Sequence, residues 1–214
     1  MIQQSVSSKP RYRRSRLMAE RMADNRRRIV QAARALIAEG GFRNASVSAV
    51  AAAAGLSTGA IYRYFPSKSA LFVEVLTDAV QREVQILRKI IAGPGTAAER
   101  LRAAVESFAR RALKGPHLAY AFIAEPTDPE IDAARILCRR EFGAVFKTVL
   151  RQGMASGEFR RQSADISSAC IVGAFTEALV RPIASRSGRS TQADWVRPIV
   201  EFCCLAVSAR GEGM

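Results

Sequence analysis

The segment SVSAVAAAAGLSTGAIYRYFPSKSALFVEVL, residues 46–76, reads as three helix starts separated by two stops. Ser46 is placed to cap a short helix running to about Ala54, with Val47, Val50 and Ala51 facing inward. Gly55 ends that helix and Leu56 plugs the turn. Ser57 then caps a second short helix carrying Ile61, Tyr62 and Phe65, which Pro66 breaks. Two helices of about two turns, joined by a short turn containing Gly, form a helix-turn-helix unit. The alanines at 51–54 let the pair cross closely. Ser67 opens a much longer helix, in which Leu71, Phe72, Val75, Leu76, Val80, Val84, Leu87 and Ile91 keep the helical period.

Toward the N-terminus, Ile29, Ala33, Leu36 and Ile37 mark a first helix from about Arg21 that Gly40 and Gly41 stop. Arg26, Arg27 and Arg28 then fall near its start, where cations oppose the helix dipole, so their expected use lies outside the fold. Residues 1–19 are polar, carry Arg11, Arg13, Arg14 and Arg16, and read as a flexible basic arm. Toward the C-terminus the chain reads as five more helices and no strand. Thr96 and Glu99 make a capping box, Gly115-Pro116 is a break, and Asp128-Pro129-Glu130 is a helix start with an N-cap Asp. The last two helices span about 163–184 and 191–209, with the polar SRSGRS loop between them.

The predicted fold is therefore all-α. A three-helix helix-turn-helix domain over 20–66 is joined by a long helix to a helical domain over 67–214.

The chain has 214 residues and a formal net charge of +14. Residues 1–70 hold 13 Lys+Arg against 3 Asp+Glu, and residues 71–214 hold 20 against 16, so the excess is +10 in the first third and +4 beyond it. That asymmetry points to an anionic polymer as the partner of the first third, nucleic acid before membrane. The longest uncharged apolar run, between Asp165 and Glu177, falls short of the roughly 18 residues of a membrane span, and no N-terminal apolar run resembles a signal peptide. A cytoplasmic protein with no membrane partner is expected. One histidine, four cysteines without a C-x-x-C pair, and no phosphate-binding glycine motif leave no expected catalytic residue, metal site or cofactor. Glu125, Asp128 and Glu130 cluster without a nucleophile, and Cys138, Cys203 and Cys204 read as buried thiols rather than a redox sensor.

The segment resembles the DNA-binding motif of the TetR family of bacterial transcriptional regulators. The matching features are Gly41-Phe42, the Ser-Val opening at 46, Ala54-Gly55-Leu56-Ser57, Gly59-Ala60-Ile61-Tyr62, Tyr64-Phe65, Ser67-Lys68 and Leu71-Phe72. Thr58 departs from the lysine common there, and Ala49, Ala52 and Ala53 replace polar residues of the second helix. The resemblance implies backbone contacts from Tyr62, Tyr64 and Lys68, and base or nearby contacts from Thr58, Gly59 and Arg63. Ser57 and Ala60 are small enough to approach base edges, and Arg26, Arg27 and Ser46 complete the DNA-binding set. Core packing is the alternative for both tyrosines.

The resemblance further implies a double-stranded operator, a homodimer and a small-molecule effector that releases the protein as a repressor. The dimer set is Ile171, Ala174, Phe175, Ala178, Trp195, Ile199 and Phe202, for which internal core is the alternative. The effector set is Phe108, His117, Tyr120, Phe122, Phe142, Phe146, Phe175 and Glu177, which suits an apolar or aromatic molecule. His117 also reads as a core residue, and Glu177 as an ion-pair partner of Arg181.

Overall fold

The computed structural model describes residues 10–184 and 192–209, within which the chain forms nine helices. The order is α1 (Pro10–Gly40), α2 (Val47–Ala54), α3 (Thr58–Tyr62), α4 (Lys68–Ile91), α5 (Ala97–Lys114), α6 (Pro116–Ile123), α7 (Pro129–Ala155), α8 (Ala164–Ala184) and α9 (Gln192–Leu205). Buried side chains form one cluster that passes from α1–α3 through the inner face of α4 into the bundle of α5–α9. Helix α4 is the shared wall, with Leu71, Phe72, Val75 and Leu76 buried toward the head and Val84, Leu87 and Ile91 toward the bundle.

The caps behave largely as the sequence predicts. Ser46, Ser57 and Ser67 accept from the backbone N–H of Ala49, Ala60 and Ala70 at 3.1, 3.2 and 3.0 Å, and Thr96 and Glu99 close a reciprocal capping box. Each such cap stabilises a helix by about 1 kcal/mol. Gly55 adopts φ 65°, and Leu56 and Gly55 return their N–H groups to Ala51 and Ala52, a left-handed stop that disfavours any side chain.

Three expectations are corrected. Helix α1 begins at Pro10, so residues 10–19 of the expected arm are helical, while residues 1–9 and the loop at 185–190 lie outside the described residues. Residues 16–24 are exposed without a core to face, and their helix rests on good helix formers and on pairs such as Arg16 to Glu20 at 3.1 Å. Arg26–Arg28 consequently sit in mid-helix, and the dipole argument does not apply to them. Asp128 stands at the N-cap of α7 but makes no cap bond, because its Oδ2 accepts from Ser69 Oγ at 2.7 Å and ties the first turn of α4 to the start of α7.

Helix α8 is long and apolar enough to cross a bilayer by composition, although no uncharged run in it is. It packs against α5, α6, α7 and α9, burying Ile171, Val172, Phe175 and Leu179.

The loop after α7 supplies a second cap to α5. Glu158 accepts from the N–H groups of Ala97 and Ala98 at 3.1 and 2.9 Å, and these bonds hold its carboxyl below the usual 4.5. A carboxyl depressed in the folded state adds stability above its unfolded value and loses it as pH falls through the folded value. Glu158→Gln should therefore lower Tm at pH 7, with the gap to wild type closing below pH 4.5 in a thermal denaturation series.

Candidate functional site

Helix α3 presents its N-terminal end outward. Ser57, Thr58 and Gly59 are exposed, Gly59 has no neighbour within 4 Å of where a Cβ would stand, and Ala60 is half-buried. That end is slim enough for a base edge to approach backbone and hydroxyl groups. Tyr62 is 52% exposed and Arg63 is exposed, while Ile61 and Phe65 are buried and fix the helix on the domain core. Ser46, at the start of α2, is exposed and shares a 3.0 Å hydrogen bond with Ser48. Lys68 is exposed in the first turn of α4, its Nζ 5.1 Å from the centre of the Phe72 ring. An ammonium in the first turn of a helix suits a phosphate.

Two other predicted contacts, Arg26 and Tyr64, have partners within the fold. Arg26 is bidentate to Glu74, with Nε to Oε1 at 2.8 Å, donates to the carbonyl of Tyr64 at 2.9 Å, and lies 4.4 Å over the Phe65 ring. It joins α1, the end of α3 and α4. The Tyr64 hydroxyl accepts from Asn25 at 3.0 Å and its ring packs on the core. Arg27 stays exposed, paired with Asp24, and Arg28 caps the end of α2 through the carbonyl of Ala54 at 2.7 Å. Sequence reasoning passed over Arg43 and Ser48, which are exposed at the entry to α2. The signal for Arg43 was a cation directly before a helix start.

The second feature is a cavity of about 360 Å³ framed by α4, α5, α6 and α7. Leu76, Val80, Phe108, Ala112, Phe122, Cys138 and Phe142 make it apolar, and Arg34 brings α1 to its wall. Arg111 faces Glu83 there with Nε to Oε2 at 2.9 Å and Arg135 pairs with Asp132 at 2.6 Å, leaving Arg34, Lys114 and Arg139 as an excess of cations around the lining. Of the predicted effector residues, Phe108, Phe122 and Phe142 line the cavity. Phe146 and Phe175 are fully buried behind it, with the Phe108–Phe175 and Phe146–Phe175 ring centres 4.9 and 5.4 Å apart. His117 and Tyr120 are half-buried on α6 outside the lining, and exposed Glu177 borders a separate groove between α7 and α8.

The outer faces of α8 and α9 carry the third. Ile166, Phe202 and Leu205 are 66%, 62% and 75% exposed. Ala178 is exposed with them, and Ala174 and Trp195 are half-buried. Ile171, Phe175 and Ile199 instead belong to the chain's own core. Burial raises the thiols of Cys138 and Cys204 and pushes Cys203 up to about 12, which disfavours reactive thiolates there. Among the described residues, no three His, Cys, Asp or Glu side chains gather as a metal site.

A helix-turn-helix head with a free recognition end, joined by one long helix to a bundle around an apolar cavity, defines the class of helix-turn-helix transcriptional regulators. Residues 29–75 match the family described as bacterial regulatory proteins, tetR family, and residues 94–179 match the tetracyclin repressor-like C-terminal domain. The HTH-type transcriptional repressor KstR of Mycolicibacterium smegmatis is 30% identical over 151 residues, covering 67% of this chain and 70% of that protein. The fatty acid metabolism regulator protein of Bacillus subtilis is 28% identical over 139 residues, covering 62% and 69%. Among solved structures, FadR from Bacillus subtilis in complex with stearoyl-CoA superposes with TM-score 0.72 at 19% identity, covering 83% of this chain and 96% of that one. RolR in complex with resorcinol gives 0.71 at 22%, covering 90% and 91%. The chain belongs to the TetR family of transcriptional regulators.

An exposed cation and a cation braced within the fold should separate in measurement. Lys68→Ala should weaken binding to all DNA sequences alike and reduce the slope of log affinity against log salt by about 0.9 for each bound subunit, the loss of one phosphate contact per head. Arg26→Ala should instead lower Tm, by about 1 kcal/mol of stability, with that salt slope unchanged. Fluorescence anisotropy over a salt series and thermal denaturation distinguish them.

Proposed function

We propose that the protein is a repressor that binds a palindromic operator as a homodimer and leaves it when a small apolar or aromatic molecule fills the cavity. The observation that carries this reading is the shared framing of the two sites. Helices α1 and α4, which hold the helix-turn-helix, also contribute Arg34, Leu76, Ala79, Val80 and Glu83 to the cavity wall. Filling the cavity then acts on the two helices that orient α3. In a dimer the two α3 helices must enter successive major grooves about 34–36 Å apart, so a small tilt of α4 moves both out of register. Effector and operator oppose each other by linkage, with coupling on the order of 1–3 kcal/mol.

The basic first third supplies the phosphate attraction, and the apolar outer stripe of α8 and α9 supplies a self-complementary surface. The DNA contacts of this reading are Ser46, Ser57, Thr58, Gly59, Tyr62, Arg63 and Lys68, and the cell compartment is the cytoplasm. Phe108, Phe122 and Phe142 are its effector contacts, and Ala178, Phe202, Leu205 and Ile166 its dimer contacts.

Selection of genomic DNA fragments by the purified protein should recover an inverted repeat, and a site without two-fold symmetry would refute the dimeric reading. Leu205→Glu should give a monomer by light scattering and at least about a tenfold loss of operator affinity, since one head reads only half a site. The effector half is tested with stearoyl-CoA and resorcinol, the ligands of the two structural neighbours. One of them, or the fixed occupant Cys138→Trp, should release the operator complex. Indifference to all three would sink it.

A further inference from the structure

Glu125 is a buried acid in the segment between α6 and α7, far in sequence from the head it touches. Its Oε2 accepts the backbone N–H of Phe42 at 3.0 Å, inside the turn that joins α1 to α2. The approach is so close that a Cβ on Gly41 would stand 2.7 Å from that oxygen, and Gly41 itself has φ 75°. The Phe42 ring stacks on Phe72 of α4 at 4.8 Å and faces Phe122 of the cavity wall at 6.2 Å.

Arg135 of α7 holds the other side of this contact. Its Nη2 donates to the carbonyl of Ala121, an acceptor left free in the last turn of α6, and at 2.7 Å to that of Glu125 just beyond the helix. Its Nη1 donates to Asp132 at 2.6 Å, and its guanidinium lies 5.9 Å from the Phe42 ring. Arg135 is 9% exposed, lines the cavity, and its Nε is buried without a hydrogen-bond partner.

We propose that Arg135 and Glu125 are positioning residues that relay occupancy of the cavity to the α1–α2 turn, and that the occupant they respond to carries an oxygen acceptor. The proposal rests on reading the cavity as the effector site. A ligand shifts a conformational equilibrium only by interacting differently with the two states. The unmade bond at Nε provides that difference, because an oxygen in the cavity gains a charged donor when the guanidinium turns toward it. Turning loosens Nη2 from the carbonyls of Ala121 and Glu125. The end of α6 and the Glu125 carboxylate then shift, and the Phe42 amide loses its acceptor in a buried place. The turn that sets α2 against α1 is freed, and α3 goes with it.

The test uses the full chain, the operator recovered by selection, and two fixed occupants one helical turn from Arg135: Cys138→Gln, which brings an amide oxygen, and Cys138→Leu, which is similar in size without one. Two quantities are read: hydrogen exchange of the Phe42 amide and operator affinity. Cys138→Gln should speed the exchange and weaken binding, each by about tenfold, the usual scale for losing a charge-assisted hydrogen bond, and Cys138→Leu should do neither. Glu125→Ala should act as Cys138→Gln does without an occupant, and Glu125→Gln, which keeps an acceptor, should restore most of the loss. Adding Cys138→Gln to Arg135→Met should then change nothing further, a non-additivity that a merely structural role would not produce. Should Arg135→Met fail to fold, Arg135→Lys carries the same cycle. If Cys138→Gln leaves operator affinity unchanged, or weakens it equally with and without Arg135, the relay is overturned and the cavity reading stands. If stearoyl-CoA, resorcinol and Cys138→Trp all leave the operator complex intact, the cavity reading fails and the relay with it.

Discussion

Phe42 is the side chain on which the two halves of the molecule meet. Its ring lies flat on Phe72, the aromatic residue of the α4 wall, and its amide is bound by a carboxylate from beyond α6. A stacked pair of this kind adds about 0.5–1.5 kcal/mol beyond burial, and a buried amide cannot be left without an acceptor at small cost. The position of the α1–α2 turn is therefore set jointly by α4 and by the bundle. A second strut, from Ser69 to Asp128, fixes the other edge of the same junction. Without these contacts the head would be joined to the bundle only by α4 itself and by the packing of α1 on α6. With them the head gains two polar anchors on the bundle side, Glu125 and Asp128, which lie within one short connection.

The charge of the first third divides in a way that counting does not show. Arg26 and Arg28 are cross-braces, one gripping Glu74 and the carbonyl of Tyr64, the other closing the end of α2. Arg43, Arg63 and Lys68 stay exposed around α2, α3 and the start of α4. Braces of this type trade desolvation against hydrogen bonds and add rigidity more than net stability. Rigidity is what a small head needs, because α3 has only five residues and cannot hold an orientation by itself.

Much of this was legible in local chemistry. Ser46, Gly55, Ser57, Ser67 and the Thr96–Glu99 box announce their helices because a cap is a contact between residues a few positions apart. Where the partner is distant, the same reasoning fails. Asp128 has every local mark of a cap, yet Ser69 takes its oxygen. Arg26 looks like a surface cation until Glu74 is placed beside it. Helix α1 continues to Pro10 although no apolar period extends there, since propensity and i,i+4 pairs need no core. Arg135 did leave a trace. It falls between Ile131 and Phe142 on the stripe that Ala134 and Cys138 continue, and a cation on a buried stripe must have partners that the stripe alone cannot identify.

Helix α8 is the hardest element to read, and for a physical reason. A helix with a single apolar stripe has one partner, so its period identifies the face that is buried. Helix α8 is apolar almost all round. Ile171, Phe175 and Leu179 are buried in the chain's own core, while Ile166 and Ala178 remain outside, where the proposed second copy would cover them. Periodicity cannot rank two apolar faces on one helix, which is why Phe175 was expected in both the effector set and the dimer set. Its neighbours settle its place. Phe108 and Phe146 surround it, and Phe108 is itself cavity wall, so the packing behind the wall and the outward stripe are carried by the same turns of helix. In the proposed dimer, a molecule that displaced Phe108 would press on Phe175 and so on the backbone that carries the interface. Cavity, interface and recognition helices would then be coupled by packing alone, because a close-packed interior passes a displacement on instead of absorbing it.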